Sequence, residues 1–188
     1  MAPLNSPADE RAPHERILHA AHALFYGQGV RATGVDKIID AAAVTKVTFY
    51  RHYPSKELLV NAYLQFRHER WMRWFRDSLE SHLAVGASRL DALAFSLRDW
   101  FDHAEFRGCA FLNAAAEFGS THPDILTIVR EHKADVAACL NDVFASGDEA
   151  VGRSLTVAMD GAIVHAQMGE STERAIDTLR SLARGILT

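Results

Sequence analysis

Val35-Asp36-Lys37-Ile38-Ile39-Asp40-Ala41-Ala42-Ala43-Val44-Thr45-Lys46-Val47-Thr48-Phe49-Tyr50-Arg51-His52-Tyr53-Pro54-Ser55-Lys56-Glu57-Leu58-Leu59 reads as two short helices joined by a tight turn. Val35, Ile38, Ile39 and Ala42 give the first helix one apolar face. Thr33 opens it, with Asp36 three residues on completing a capping pattern. Thr45 caps the second helix, which runs to about Tyr53, and Pro54-Ser55 ends it and caps the next. On so short a helix few side chains reach a core, and Val44, Phe49 and Val47 are the candidates. Thr45, Lys46, Thr48, Tyr50, Arg51 and His52 remain, all hydrogen-bond donors and two of them cationic. Such a set suits a helix lying in a major groove between two phosphate walls. As N-caps, Thr33 and Thr45 also turn free N–H groups of helix N-termini toward an anion.

The flanks continue the helical pattern. Upstream, Ile17, Ala20, Ala21, Leu24 and Phe25 form an apolar stripe that Gly27 and Gly29 stop, with His19, His22 and Tyr26 on the opposite face and the two histidines reading as a solvated or DNA-facing stripe. Downstream, a long helix from Leu58 to about Leu83 carries Tyr63, Phe66, Trp71, Trp74 and Phe75. Five more helices are expected: about Ser88 to His103, Cys109 to Phe118, one starting at Pro123, one capped by Ser146 and Glu149 and ending near Gly169, and Thr172 to Leu187. Period-2 alternation is nowhere sustained, so the fold class is all-α, with about nine helices. Residues 1–12 read as a disordered tail, 13–60 as a helix-turn-helix domain joined on by the fourth helix from about residue 56, and 61–188 as a helical ligand-binding and dimerisation domain.

The 188 residues are 48% hydrophobic and 23% charged, and carry a formal charge of −4. An acidic average argues against nucleic acid until it is divided along the chain. Residues 1–72 hold 9 Lys and Arg against 7 Asp and Glu, a net of +2, and residues 73–188 hold 11 against 17, a net of −6. No run approaches the roughly 18 apolar residues of a membrane helix, so no membrane partner is expected. The N-terminus lacks the basic start and apolar run of a signal peptide, and Cys109 and Cys139 lack the spacing of a disulfide ladder or zinc site. A reducing cytoplasm is the expected location.

From Ile17-Leu18-His19-Ala20-Ala21 through Phe25, Gly29, Thr33, Val35-Asp36-Lys37-Ile38, Ala41 to Tyr53 and Ser55-Lys56-Glu57-Leu58-Leu59, the chain resembles the N-terminal domain of TetR/AcrR-family transcriptional repressors. The C-terminal part is similar more loosely, in helix count and over Gly108 to Phe118 and Asp160 to Gly169. The resemblance implies that Tyr50 and His52 contact phosphates or the groove edge and that Lys46 reaches a base or phosphate. It also implies that Thr45 and Thr48 hydrogen-bond near the start of the recognition helix, and that Thr33 and Lys56 clamp the flanking backbone. Phe49 and Tyr53 would hold the recognition helix in place. Two positions depart from the pattern: the family commonly has Gly at Ala43, and often at Val47. A positive φ at Ala43 would cost up to about 1 kcal/mol, and Val47 could touch a thymine methyl.

The resemblance further implies an apolar effector pocket in the middle helices, for which Trp100, Phe101, Phe111, Asn113, Glu117 and His165 are the candidates. On the last two helices Leu155, Met159, Ala162, Ile163, Ala166, Ile176, Leu179, Leu182 and Ile186 make apolar faces too broad for one chain, which reads as a two-fold four-helix interface. His19 and His22 share a face but lack a further ligand at metal spacing, and no G-x-S-x-G nucleophile elbow occurs; no metal, cofactor or catalytic residue is expected. Both cysteines lie in apolar helices and read as small buried hydrophobes. The expected function is a homodimeric repressor released from a pseudo-palindromic double-stranded operator by an apolar small molecule. The alternative is a helical small-molecule carrier or enzyme without DNA-binding activity.

Overall fold

Helix α1 (Pro13–Gln28) opens on a proline, whose missing N–H costs nothing in a first turn. Its apolar stripe is buried at Ile17, Ala21 and Phe25 as expected, but His22 and Tyr26 are buried too. The helix is covered on two sides, by α2 (Val35–Ala41) and α3 (Lys46–His52) and by the long α4 (Lys56–Ala84). The histidine-tyrosine face is therefore internal, not a solvated stripe. The computed structural model describes residues 11–119 and 122–188, and the tail expected over 1–12 lies outside them except for Arg11 and Ala12.

The turn between α2 and α3 places Ala43 at φ +50°, the left-handed conformation that glycine takes without penalty. Arg16 on α1 donates to the Ala43 carbonyl at 3.3 Å and fastens this turn to the first helix. Thr45 caps α3, its hydroxyl accepting from the Thr48 N–H at 3.1 Å. Ser55 does the same for α4 through the Leu58 N–H. At 29 residues, α4 is about 43 Å long, and it passes from the three-helix head into the body.

The body comprises α5 (Arg89–Phe101), α6 (Ala110–Phe118), α7 (Pro123–Phe144), α8 (Glu149–Gln167) and α9 (Thr172–Ile186). Helix α4 packs on α5 and α7, α6 on α7, and α8 lies between α7 and α9, with α9 closing onto α5. Among the described residues there are nine helices and no strand. The cap of α8 is Asp148, not Ser146; Ser146 instead exchanges hydrogen bonds with the Asp148 backbone. None of these helices is long and apolar enough to cross a membrane.

Gly152 sets the approach of α8 to α7. A Cβ there would collide with the Ala137 carbonyl and lie 2.6 Å from the Asn141 side chain, which already accepts from the Gly152 N–H at 2.7 Å. Gly152→Ala is expected to destabilise the fold by about 2 kcal/mol through overpacking, read as a lower urea midpoint at unchanged slope.

Candidate nucleic-acid interface

Seven residues of helix leave α3 one buried anchor, Phe49, whose ring meets Tyr50 edge-on at 5.2 Å and Tyr53 at 6.4 Å. Tyr53 is half-buried and its hydroxyl donates to the His14 carbonyl at 3.4 Å. With α3 pinned from below, Lys46, Val47, Tyr50, Arg51 and His52 are exposed together. Val47 is 69% exposed and Tyr50 42%, values that a side chain with an internal packing role would not show. Lys46 pairs with Asp36 at 3.7 Å, but both side chains are largely in solvent, so the pair is weak and yields readily to a phosphate. The Thr45 and Thr48 hydroxyls bond to each other at 2.9 Å at the start of the same face.

Two residues named with this set sit elsewhere. Thr33 is fully buried, its hydroxyl donating to the Gly29 carbonyl at 2.8 Å and the Leu24 carbonyl at 3.4 Å. Gly34, with no side-chain cap, begins α2, so Thr33 is a fastener of the α1–α2 loop and has no atom free for DNA. Lys56 turns inward as well, donating to the Val30 carbonyl at 2.7 Å and lying 6.0 Å over the Phe25 ring. A threonine after a loop and a lysine after a serine cap carry no sequence signal for which way they point.

The six effector-pocket candidates separate into distinct places. Trp100 and Phe101 pack with Phe106 beside α4. Phe111 is core, stacked on His132 at 3.6 Å with planes 9° apart. Asn113 donates to the Arg107 carbonyl and accepts from Gln167, both at 3.1 Å. Glu117 accepts from the backbone N–H of Val30 at 3.2 Å and of Arg31 at 2.7 Å, which makes it a clasp from α6 to the head. His165 is on the outer surface of α8, bonded to Glu170 at 2.9 Å, and does not join the aromatic group.

The interface candidates also divide. Leu155, Met159, Ile163, Ile176 and Leu179 are fully buried, with Ala162 nearly so, because α8 and α9 must first close this chain's own core over α7 and α5. Ala166 and Ile186 are half-buried, and Leu182 is 51% exposed. What α8 shows outward is Val157, Gly161 and Val164, with Met168 at its C-cap; of these only Gly161 is singled out by the sequence, as a small residue suited to close helix approach. Their spacing of four, three and four is itself a helical stripe, on the face opposite the core residues. With Leu182 and His165, Val157 and Gly161 line a groove of about 290 Å³ between α8 and α9.

Behind the head lies a buried polar seam absent from the sequence reading. Arg67 of α4, fully buried, places its guanidinium 4.0 Å over the Tyr26 ring, with Nη1 3.4 Å from His22 Nε2. His132 and His68 meet through their Nδ1 atoms at 3.1 Å. Lys133 bridges Asp160, at 2.5 Å, and the thiol of buried Cys109, at 3.6 Å. Burial, with Arg67 adding to it, pushes the His22 pKa down to about 3; burial and then Lys133 bring His132 to about 2. Both are neutral at pH 7. Among the described residues no group of three or more His, Cys, Asp or Glu could hold a metal ion.

This arrangement of head and body has known counterparts. Residues 17–63 match the bacterial regulatory proteins of the tetR family, and residues 86–182 match the tetracyclin repressor-like C-terminal domain. The HTH-type transcriptional activator FasR of Mycolicibacterium smegmatis is 33% identical over 97 residues, 52% of this chain and 43% of FasR. The HTH-type transcriptional regulator UidR of Escherichia coli K12 is 30% identical over 76 residues, 40% of this chain and 39% of UidR. The chain thus spans less than half the length of either of these relatives. The crystal structure of SCO4454, a TetR-family transcriptional regulator from Streptomyces coelicolor, superposes with a TM-score of 0.75 at 30% identity, covering 93% of this chain and 94% of that one. With matches over both head and body, the chain belongs to the TetR family of bacterial regulatory proteins.

Proposed function

We propose that the protein is a cytoplasmic, homodimeric repressor that holds a pseudo-palindromic operator and is released by a small molecule. The observation that carries this is the outward face of α3, where Lys46, Val47, Tyr50, Arg51 and His52 are exposed around a single buried anchor. Thr45 and Thr48 belong to the same contact surface, and Thr33 and Lys56 support it from inside. The head takes residues up to about 60 and the body the remainder, with α4 common to both.

A second copy is the occupant that best fits the exposed α8–α9 face. That face is apolar, small at Ala158 and Gly161, and continuous along one helix side, features of a helix pair meeting its symmetry mate. Two recognition helices related by a two-fold axis then read two half-sites in successive major grooves. Repression with release is favoured because the head is held to the body by hydrogen bonds that a ligand entering between them would break. Glu117 clasps the α1–α2 loop, and the Tyr26 hydroxyl joins α1 to the Arg107 N–H and the Gly108 carbonyl. A ligand that parts head from body breaks these bonds, and it lowers DNA affinity to the extent that it prefers the parted state.

Fluorescence anisotropy with DNA flanking the protein's own gene tests the reading. Specific binding is expected, falling steeply with salt. Lys46→Ala should weaken it about tenfold and reduce the salt slope by about one. Tyr50→Phe should weaken it by a similar factor without changing the oligomeric state. Unchanged affinity in both variants would remove α3 as the recognition helix.

A further inference from the structure

Between the head and the body, the structure gathers aromatic rings around a small cavity. Tyr26 of α1, Trp71 and Trp74 of α4, Trp100 of α5 and Phe106 of the α5–α6 loop line it. The Trp71–Trp74, Trp71–Trp100 and Trp74–Trp100 ring centroids are 6.0, 5.6 and 6.0 Å apart, and Phe106 meets Trp100 edge-on at 5.3 Å. The polar part of the lining is Asp99, His103 and Glu105, and among the described residues no lysine or arginine contributes to it. The Trp71 indole N–H is buried with no hydrogen-bond partner among the described residues. Free space amounts to about 20 Å³, room for one water.

Ring faces carry negative electrostatic potential, and two carboxylates stand beside them. Such a site attracts a cation and repels an anion. The exposed pair that Asp99 makes with His82, at 3.0 Å, is weak enough to give way. Arg67 already lies over the Tyr26 ring, so a second positive charge is disfavoured at that end. The charge of a ligand belongs at the opposite end, beside Asp99 and Glu105 and against Trp74, Trp100 and Phe106. We propose that this aromatic cage binds an organic cation of the alkylammonium class, and that its occupancy is passed to the head through Tyr26.

The route to the head is short. A ligand larger than a water must part the rings, and the half-buried Phe106 and Trp74 are the ones with room to move. Phe106 precedes Arg107 and Gly108, whose N–H and carbonyl each bond the Tyr26 hydroxyl at 3.0 Å. Displacing the loop strains the two bonds that hold it to α1. This inference rests on the DNA-binding reading only for its second half; occupancy of the cage is tested without DNA.

The chain's three tryptophans are Trp71, Trp74 and Trp100, so its intrinsic fluorescence reports on this one site. The probes are choline and 3,3-dimethylbutan-1-ol, the same shape with and without charge. Choline is expected to change the emission saturably, with the alcohol binding about tenfold more weakly. The surface variant pair Asp99→Asn with Glu105→Gln should weaken choline about tenfold while the urea midpoint stays unchanged. Equal binding of the two probes, an unchanged affinity in the double variant, or no saturable response to choline would overturn the cation site. For the coupling, choline should lower the affinity of the wild type for operator DNA. Tyr26→Phe keeps the ring and should keep the fluorescence response, but the DNA effect should shrink. A DNA effect of undiminished size in Tyr26→Phe would overturn the route. A protein that responds to choline and binds no flanking DNA would count against the regulator reading while upholding the cage.

Discussion

Val157→Asp combined with Leu182→Asp is expected to give a monomer that folds normally and has lost operator binding by at least about a hundredfold, since the second head no longer benefits from being tethered to the first. Both side chains are mostly in solvent in the single chain, at 68% and 51% exposed, so the fold itself asks little of them. In a two-fold interface each aspartate would meet its own copy or a nearby one, and a carboxylate buried among apolar side chains without a partner costs several kcal/mol. Light scattering at micromolar concentration reads the mass, and thermal unfolding reads the fold. Leu155→Asp and Ile176→Asp are the contrasting pair, because both residues are fully buried inside the chain and the charge should unfold it. A dimeric Val157→Asp/Leu182→Asp protein would move the interface away from α8 and α9.

That contrast also marks how far the sequence could be read. Element type was legible because it is local, and so were two of the caps: Thr45 and Ser55 cap the helices expected to follow them, whereas Gly34 and Asp148 stand where Thr33 and Ser146 are expected. The positive φ of Ala43 was legible as well, because the resemblance placed a glycine there. The outward set on α3 is readable for a related reason, since a seven-residue helix buries one aromatic, Phe49, and leaves Lys46, Val47, Tyr50, Arg51 and His52 exposed. Facing was harder. An apolar residue on α8 or α9 has two places to go, the chain's own core or a partner's, and composition alone does not separate Leu155 from Val157. Roles that join distant segments were not legible at all. Glu117 reaches the Val30 amide across 87 positions, and Tyr26 reaches Gly108 across 82. His22, a polar residue opposite the apolar stripe, reads from sequence as solvated or DNA-facing, although α4 brings Tyr63, Phe66 and Arg67 against it. Where a long helix is buried on two sides, a single apolar stripe underestimates its buried face.

Those two buried histidines set the second large effect, a loss of stability in mild acid of about 4 kcal/mol between pH 7 and pH 5. In the folded chain His22 has a pKa of about 3 and His132 of about 2, against 6.5 for an ordinary histidine. Between pH 6.5 and 3 the unfolded chain therefore binds two protons that the folded chain refuses, so unfolding is drawn forward as pH falls. The stability is fully present above pH 6.5 and is lost as pH falls toward the folded values. At pH 5 each group contributes about 2 kcal/mol of that loss, a figure set by the unfolded pKa because pH 5 is well above both folded values. His22 faces Arg67, Arg70 and His19, and His132 faces Lys133, His68 and Arg67, so a proton on either is opposed by neighbouring positive charge as well as by burial. Urea unfolding at pH 7 and pH 5 measures the difference. His132→Gln should shrink that difference by about 2 kcal/mol whatever it costs at pH 7, and the subtraction cancels groups of opposite sign such as Asp160, whose carboxyl is raised by burial. If His132→Gln left the acid sensitivity at full size, His132 would have to be protonating freely in the folded protein. Its stacking on Phe111 and its contact with His68 would then give way in ordinary buffer, opening the body just behind the Tyr26 clasp.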